Sequence, residues 1–197
     1  MKILLLVVIY IVFISLGLPD GVLGSAWPAI HTSLSAPVTL GGLLTVVSVF
    51  MTTTSSLMTT KIVRKIGIGW LVTSSVLLTS IALWGLSWAD HIAFVFLFVI
   101  PLGLGAGAID SALNHYVAHN YKAHHMNWLH AFWGVGAMLG PLAFAAAFGV
   151  RGDWHAGFFV LGAAQMVIVL MLLISLKLGN YTLNTPNFIE IANNAML

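Results

Sequence analysis

The stretch FISLGLPDGVLGSAW, residues 13–27, places a proline and an aspartate inside an apolar run that extends over residues 3–30. A helix of about 20 apolar residues crosses a hydrocarbon core of about 30 Å, so this run is long enough to span a membrane. A charged side chain at the bilayer centre costs at least ~2.5 kcal/mol on insertion scales, and such residues face a bundle interior or a wet cavity. Asp20 therefore predicts a polar site inside a helix bundle. The structural alternative is a neutral carboxylic acid that hydrogen-bonds to a neighbouring helix.

The composition of the whole chain indicates a membrane protein. Of the 197 residues, 60% are hydrophobic and 6% are charged, and the mean hydropathy is +1.04. Soluble domains carry roughly 25% charged residues, so most of this surface must face lipid. The seven Lys and Arg residues are scattered, and the net charge of +2 does not indicate nucleic-acid binding. The absence of cysteine excludes disulfides, thiolate catalysis and Cys-bound metals.

The apolar segments predict an all-α fold with six transmembrane helices. They are too long and too uniformly apolar for the alternating strands of a barrel. The predicted spans are 3–30, 38–60, 67–88, 92–117, 127–149 and 156–176. They form one transmembrane domain over residues 1–176, and a polar cytoplasmic tail follows at 177–197.

The distribution of basic residues predicts the orientation, because Lys and Arg favour the cytoplasmic side of short loops. One side of the predicted topology carries Lys2, Lys61, Arg64, Lys65, Lys122 and Lys177, and the other carries only Arg151. Both termini are therefore expected in the cytoplasm of a multi-pass protein of the cell membrane. The alternative is a cleaved signal peptide, which would leave five spans and place the loops against this charge rule.

A short internal repeat relates the first and fourth spans. The segment GLPDGVL at 17–23 and the segment GAIDSAL at 107–113 share the pattern Gly-x-x-Asp-x-x-Leu, 90 residues apart. Spans one to three and four to six begin on opposite sides of the membrane, so the two segments are related by inverted topology. Secondary transporters contain such inverted three-helix repeats, with binding sites near the midplane at the repeat interface.

Two acids and four other polar residues are candidates for a binding site within the spans. The candidates are Asp20, Asp110, Asn114, Asn127, His130 and Gln165. Carboxylates and planar amides supply the donors and acceptors that a small polyhydroxy ligand requires. An acid whose hydration changes between two transporter states also changes its affinity for protons. The alternative for Asn and Gln is hydrogen bonding between helices.

The eight histidines do not predict a metal site or another cofactor. His115 and His119 are four residues apart and could share a metal, and His124 and His125 lie in the predicted loop that follows. However, no carboxylate or cysteine accompanies them, and histidines beside lipid headgroups are usually interfacial. The sequence also contains no evident nucleophile–base set, so an enzyme is not predicted.

Three segments resemble the N-terminal six-helix half of major facilitator superfamily transporters, most closely the fucose–galactose–proton symporter-like sugar permeases. They are LGLPDGVLGSAWPAI at 16–30, GLGAGAIDSALNHYVAHNY at 103–121 and MNWLHAFWGVGAMLGP at 126–141. With the layout of spans, the resemblance covers about residues 5–176. It implies that Asp20 and Asp110 line a central cavity and serve sugar binding and proton coupling.

The resemblance also implies a cytoplasmic gate between the second and third spans. The family pattern there is Gly-x-Leu-x-Asp-Arg-x-Gly-Arg-Arg, and this chain has TKIVRKIGIG at 60–69. Lys65 and Gly67 match the Arg and the second Gly, whereas Arg64 stands in place of the Asp. The expected gate residues are Lys61, Arg64, Lys65 and Gly67, without the family's full charge pattern.

Members of this family hold substrate between two six-helix halves, and six spans are predicted here. The expected function is half of a proton-coupled transporter for a sugar or similar small polar solute. Its expected partners are that solute, protons, the bilayer, and a second six-helix half or a second copy in a homodimer. The alternative is a truncated or partner subunit that does not transport.

Overall fold

A computed structural model of the protein describes residues 2–177, which form seven helices. They are α1 (Lys2–Asp20), α2 (Val22–Ser33), α3 (Leu40–Ile66), α4 (Ile68–Leu86), α5 (Ile92–Asn120), α6 (His124–Arg151) and α7 (Trp154–Lys177). The predicted polar tail lies outside the described residues, apart from Lys177. Over residues 2–177 the chain contains no strand, and the all-α prediction is confirmed.

Six helical segments are long and apolar enough to cross a membrane. They are Leu4–Ser33, Leu40–Ile66, Ile68–Leu86, Ile92–Asn120, His124–Arg151 and Trp154–Leu176. Each predicted span falls on one of them, so the prediction of six transmembrane helices is confirmed. The orientation of the bundle in the membrane stays a prediction.

The first span is broken in its second half, where α1 ends at Asp20 and α2 begins at Val22. Pro19 lies in the last turn of α1, where it provides no N–H group and its ring crowds the carbonyl four residues earlier. The helix is therefore interrupted beside Asp20. It places the carboxylate at a helix end within the span.

Two connections are shorter than the sequence predicts. The helix α3 continues through the basic segment to Ile66, and Gly67 alone links it to α4. Gly67 adopts φ 78°, a left-handed conformation that side chains disfavour. Likewise α5 continues to Asn120, so its link to α6 is only residues 121–123. Long basic side chains near a helix end can extend to the membrane interface. Their positive charge also interacts favourably with the negative C-terminal end of the helix dipole. The helices can therefore continue through these basic segments.

The closest helix pairs are α1 with α6 and α3 with α5. In each pair a glycine of the repeated Gly-x-x-Asp pattern touches the partner's backbone. A Cβ on Gly17 would overlap the carbonyl oxygen of Trp133 in α6, and one on Gly107 would overlap that of Thr52 in α3. The first pair joins spans one and five, and the second joins spans four and two. The inverted repeat relates span one to span four and span two to span five, so the two pairs are equivalent. The repeat predicted from the sequence is therefore a repeat of packing as well.

Two apolar clusters fill the bundle, one towards each end. The first includes Phe13, Ile109 and Leu129, and the second includes Val22 and Phe158. Along α1 the clusters meet between residues 16 and 18, and along α5 between residues 102 and 108. The two intramembrane acids therefore lie near the middle of the bundle rather than at its ends.

Candidate functional site

A pocket of about 320 Å³ lies between α1, α3, α5 and α6 near the middle of the bundle. Its lining contains both intramembrane acids and one histidine. The lining residues are Leu16, Asp20, Thr52, Ala106, Asp110, His130 and Trp133. Acids from the two copies of the repeated pattern thus meet in one pocket, as the inverted repeat requires.

Asp20 projects from the end of α1 at the break in the first span. Its Oδ2 accepts a hydrogen bond from the indole Nε1 of Trp133, with 2.7 Å between the two atoms. This bond links α1 to α6 across the pocket and fixes one carboxylate oxygen. Asp110 is near enough for its charge to act on Asp20. The pocket therefore contains two acids that influence one another.

Asp110 is oriented by a residue on its own helix. The side-chain Nδ2 of Asn114, one turn further along α5, donates to Asp110 Oδ1 at 2.8 Å. Asn114 is not part of the pocket lining, so it acts on the pocket through Asp110. The Asp110 carboxylate also interacts electrostatically with His130. A donor, an acid and an imidazole thus form a polar group on one side of the pocket.

The remaining sequence candidates lie elsewhere. Asn127 is exposed in the first turn of α6 and outside the pocket. Gln165 is 1% exposed and ties α7 to α1. It accepts a hydrogen bond from Ser15 Oγ and donates one from Nε2 to the Ser15 carbonyl oxygen at 2.7 Å. This arrangement matches the alternative of hydrogen bonding between helices.

Thr52 and Trp133 line the pocket but were not among the candidates selected from the sequence. Trp133 is three residues after His130 and hence on the same face of α6, which was an available signal. Thr52 is one of many hydroxyl residues on α3, and nothing in the sequence distinguishes it. Its Oγ1 donates to the Gly103 carbonyl oxygen of α5 at 3.2 Å.

The expected gate residues are grouped where α3 meets α4. Lys61, Arg64 and Lys65 lie on the last two turns of α3, and Gly67 is the link to α4. They belong to helix ends and not to a polar loop, which corrects the placement expected from the sequence. Their role in a gate stays a prediction.

The histidines group with tyrosines near the junction of α5 and α6. The Tyr10 hydroxyl lies 2.7 Å from His125 Nδ1, and the rings of His115 and His119 are 4.2 Å apart. Tyr121, in the link between α5 and α6, is partly buried. This burial, with the nearby phenols of Tyr116 and Tyr10, raises the pKa of Tyr121 to about 12. Within the described part of the chain, no group of three or more His, Cys, Asp or Glu residues is arranged to hold a metal ion.

Comparisons with known proteins identify the family. A sequence model of the Major Facilitator Superfamily matches residues 9–187. No curated protein sequence matches the chain. One similar solved structure is that of the proton:xylose symporter XylE bound to 6-bromo-6-deoxy-D-glucose, with 15% identity and a TM-score of 0.71 over 86% of this chain and 44% of that one.

A second similar structure is described as a D-xylose-proton symporter, with 16% identity and a TM-score of 0.71 over 97% of this chain and 51% of that one. The chain therefore spans about half the length of the solved structures that it matches. Identities this low show a shared fold alone, whereas the sequence model covers most of the chain. With its six membrane-capable helices, the protein is a multi-pass membrane protein that belongs to the major facilitator superfamily.

Proposed function

We propose that the chain is a six-helix unit of a proton-coupled symporter for a sugar or a similar small polar solute. The observation that carries this proposal is the pair of intramembrane carboxylates, Asp20 and Asp110, in one pocket. Intramembrane acids are costly and usually line substrate or proton pathways. The names of the similar structures, both proton-linked xylose symporters, support the same class of substrate.

The two acids and three neighbouring side chains have distinct roles in this proposal. Asp20 and Asp110 accept hydrogen bonds from ligand hydroxyls, and one of them carries the transported proton. Trp133 and Asn114 hold the two carboxylates by the hydrogen bonds already described. His130 adds an imidazole ring to the same lining as Asp110. We assign no ligand contact to Asn127 or Gln165, because neither lines the pocket.

A second six-helix unit completes the site in this proposal. The helices α3 and α6 flank the pocket and expose large apolar side chains, including Val46, Phe50 and Leu57 on α3 and Met138 and Leu142 on α6. We propose that these faces pack against a further six-helix unit or a second copy of this chain. Rocking of the two units then opens the pocket to alternate sides of the membrane.

The proposal predicts sugar uptake driven by a proton gradient. The protein is reconstituted in liposomes with an acidic exterior, and accumulation of labelled D-xylose and other monosaccharides is measured. Accumulation should exceed equilibration and collapse when a protonophore is added. Size measurement of the reconstituted species shows whether two copies of the chain assemble. Folded protein that neither binds nor accumulates any monosaccharide would contradict the proposal and favour a non-transporting subunit.

The orientation predicted from basic residues has a direct test, because the chain contains no cysteine. Single cysteines at Asp90, in the link between α4 and α5, and at Lys122, in the link between α5 and α6, lie at exposed positions. A membrane-impermeant maleimide applied to intact cells should label Asp90→Cys and not Lys122→Cys. Permeabilised cells should allow labelling of both. The reverse pattern would place both termini outside.

A further inference from the structure

A larger groove lies away from the acidic pocket, on the outer flank of the bundle. Its volume is about 870 Å³, within the range of roughly 300–1,000 Å³ typical of small-molecule sites. We call it the α6–α7 groove. Its apolar wall is formed by Ala143, Ala147 and Val150 of α6 and by Phe159 and Val160 of α7. No residue of this wall lines the acidic pocket.

The groove lies at a membrane-interface level of the bundle. The helices α4 and α6 end beside it, and α7 begins there. Val150 is 86% exposed, and the ring of Trp88 at the end of α4 is 80% exposed. Tryptophan is enriched where helices leave the hydrocarbon core. The groove therefore opens towards lipid with one end near the headgroups.

Two opposite charges line the polar end of the groove. Arg151, the last residue of α6, makes no ion pair with any residue of the described chain, and Asp153 follows two positions later. Asp153 Oδ1 accepts the backbone N–H of His155 at 3.1 Å and pairs with its ring Nδ1. Asp153 Oδ2 is not used in these contacts. The groove thus ends at a guanidinium that makes no ion pair within residues 2–177 and at a carboxylate with one oxygen in these contacts.

This polar end is held in place by the same histidine. The other ring nitrogen of His155, Nε2, lies 3.1 Å from the Ala89 carbonyl oxygen in the link after α4. Partial burial alone would raise the pKa of Asp153. The hydrogen bonds from His155 and the positive charges of His155 and Arg151 have a larger effect, and the pKa of Asp153 is lowered. Asp153 is therefore ionised at neutral pH.

We propose that the α6–α7 groove binds a phospholipid with an ethanolamine headgroup. The guanidinium of Arg151 binds the phosphate, the Asp153 carboxylate binds the ammonium, and an acyl chain lies along the apolar wall. A guanidinium presents parallel N–H donors that match phosphate oxygens. Lipid tails are already apolar, so an acyl chain gains only packing in the groove, and the headgroup must select the lipid.

Native mass spectrometry of the purified full chain in detergent tests this site without reference to transport. The protein is mixed with phosphatidylethanolamine, phosphatidylglycerol or phosphatidylcholine that carry identical acyl chains. The expected result is a bound fraction that is highest for phosphatidylethanolamine. Arg151→Gln should weaken retention of all three lipids, by roughly tenfold for a lost charge-assisted contact. Asp153→Asn should remove the preference over phosphatidylglycerol.

A matched pair of tryptophan variants locates the lipid. Ala147→Trp fills the α6–α7 groove and should abolish selective binding. Ala145→Trp fills the neighbouring groove between α2 and α6 and should leave binding unchanged. Both variants are checked for the wild-type unfolding temperature. The exposed residue Arg151 provides a test that does not depend on core packing.

Four outcomes would overturn the proposal. One is equal retention of the three lipids by the wild-type protein, and another is a preference for phosphatidylglycerol. The third is unchanged retention in Arg151→Gln and in a folded Ala147→Trp variant. A dimer that dissociates in Ala147→Trp, without any lipid retention, would show instead that a second copy covers the groove.

Discussion

Replacement of Asp20 and Asp110 together by asparagine is expected to abolish proton-driven accumulation of sugar while the protein stays folded. Asparagine preserves the size of each side chain and leaves an oxygen to accept from Trp133 and Asn114. It cannot bind or release a proton, as the proposed mechanism requires. Loss of a charge-assisted hydrogen bond of about 1.5–3 kcal/mol should also weaken sugar binding by roughly 10- to 100-fold for each acid replaced.

Two measurements in proteoliposomes separate these effects. Uptake under an imposed pH gradient reports coupling, and exchange of labelled for unlabelled sugar without a gradient reports binding and movement. Asp90→Asn is the matched control, because Asp90 is an exposed acid in the link after α4. It should transport as the wild type does. Normal gradient-driven accumulation by the double variant would refute the assignment of both acids.

Substitution of Gly136 by alanine is expected to destabilise the bundle strongly. A Cβ there would overlap the carbonyl oxygen of Ile14 in α1, which is backbone and cannot swing aside. Overpacking typically costs about 1–3 kcal/mol, and a backbone obstacle places this site at the upper end. Gly140→Ala should behave similarly, because its Cβ would overlap the Leu18 carbonyl oxygen.

The control is Gly134→Ala, two residues away on the same helix. No atom lies within 4 Å of a Cβ at Gly134, so alanine there should be neutral or slightly stabilising through its better helix propensity. Thermal unfolding in detergent compares the variants. Equal unfolding temperatures for Gly134→Ala and Gly136→Ala would mean that α1 and α6 do not pack as closely as described.

The fold and the central acids were predictable because their causes are visible along the chain. Apolar length alone determines which segments can cross a bilayer. A carboxylate inside a membrane span is energetically costly, so Asp20 and Asp110 can be identified as candidate site residues from the sequence alone. The shared Gly-x-x-Asp pattern indicates that both belong to equivalent places in an inverted repeat.

The rest of the pocket depended on contacts between distant segments. Thr52 and Trp133 line it only because glycines allow α3 and α6 to approach α5 and α1. Gln165 was ambiguous for the same reason, since an amide within a span suits a ligand or a neighbouring helix equally well. Its hydrogen bonds with Ser15, 150 residues away in the chain, favour the packing role.

The contacts of Gly17 and Gly107 bear on which parts of the pocket can change during evolution. Each glycine fixes its helix against a partner backbone, and the acid follows one turn later. The backbone positions of the two acids therefore depend on these main-chain contacts, and Trp133 and Asn114 orient the carboxylates. Residues such as Leu16 and Ala106 can change in size or polarity while the acids keep their places. If the pocket binds substrate as proposed, mutation of these lining residues is expected to change the preferred substrate without displacing the two acids.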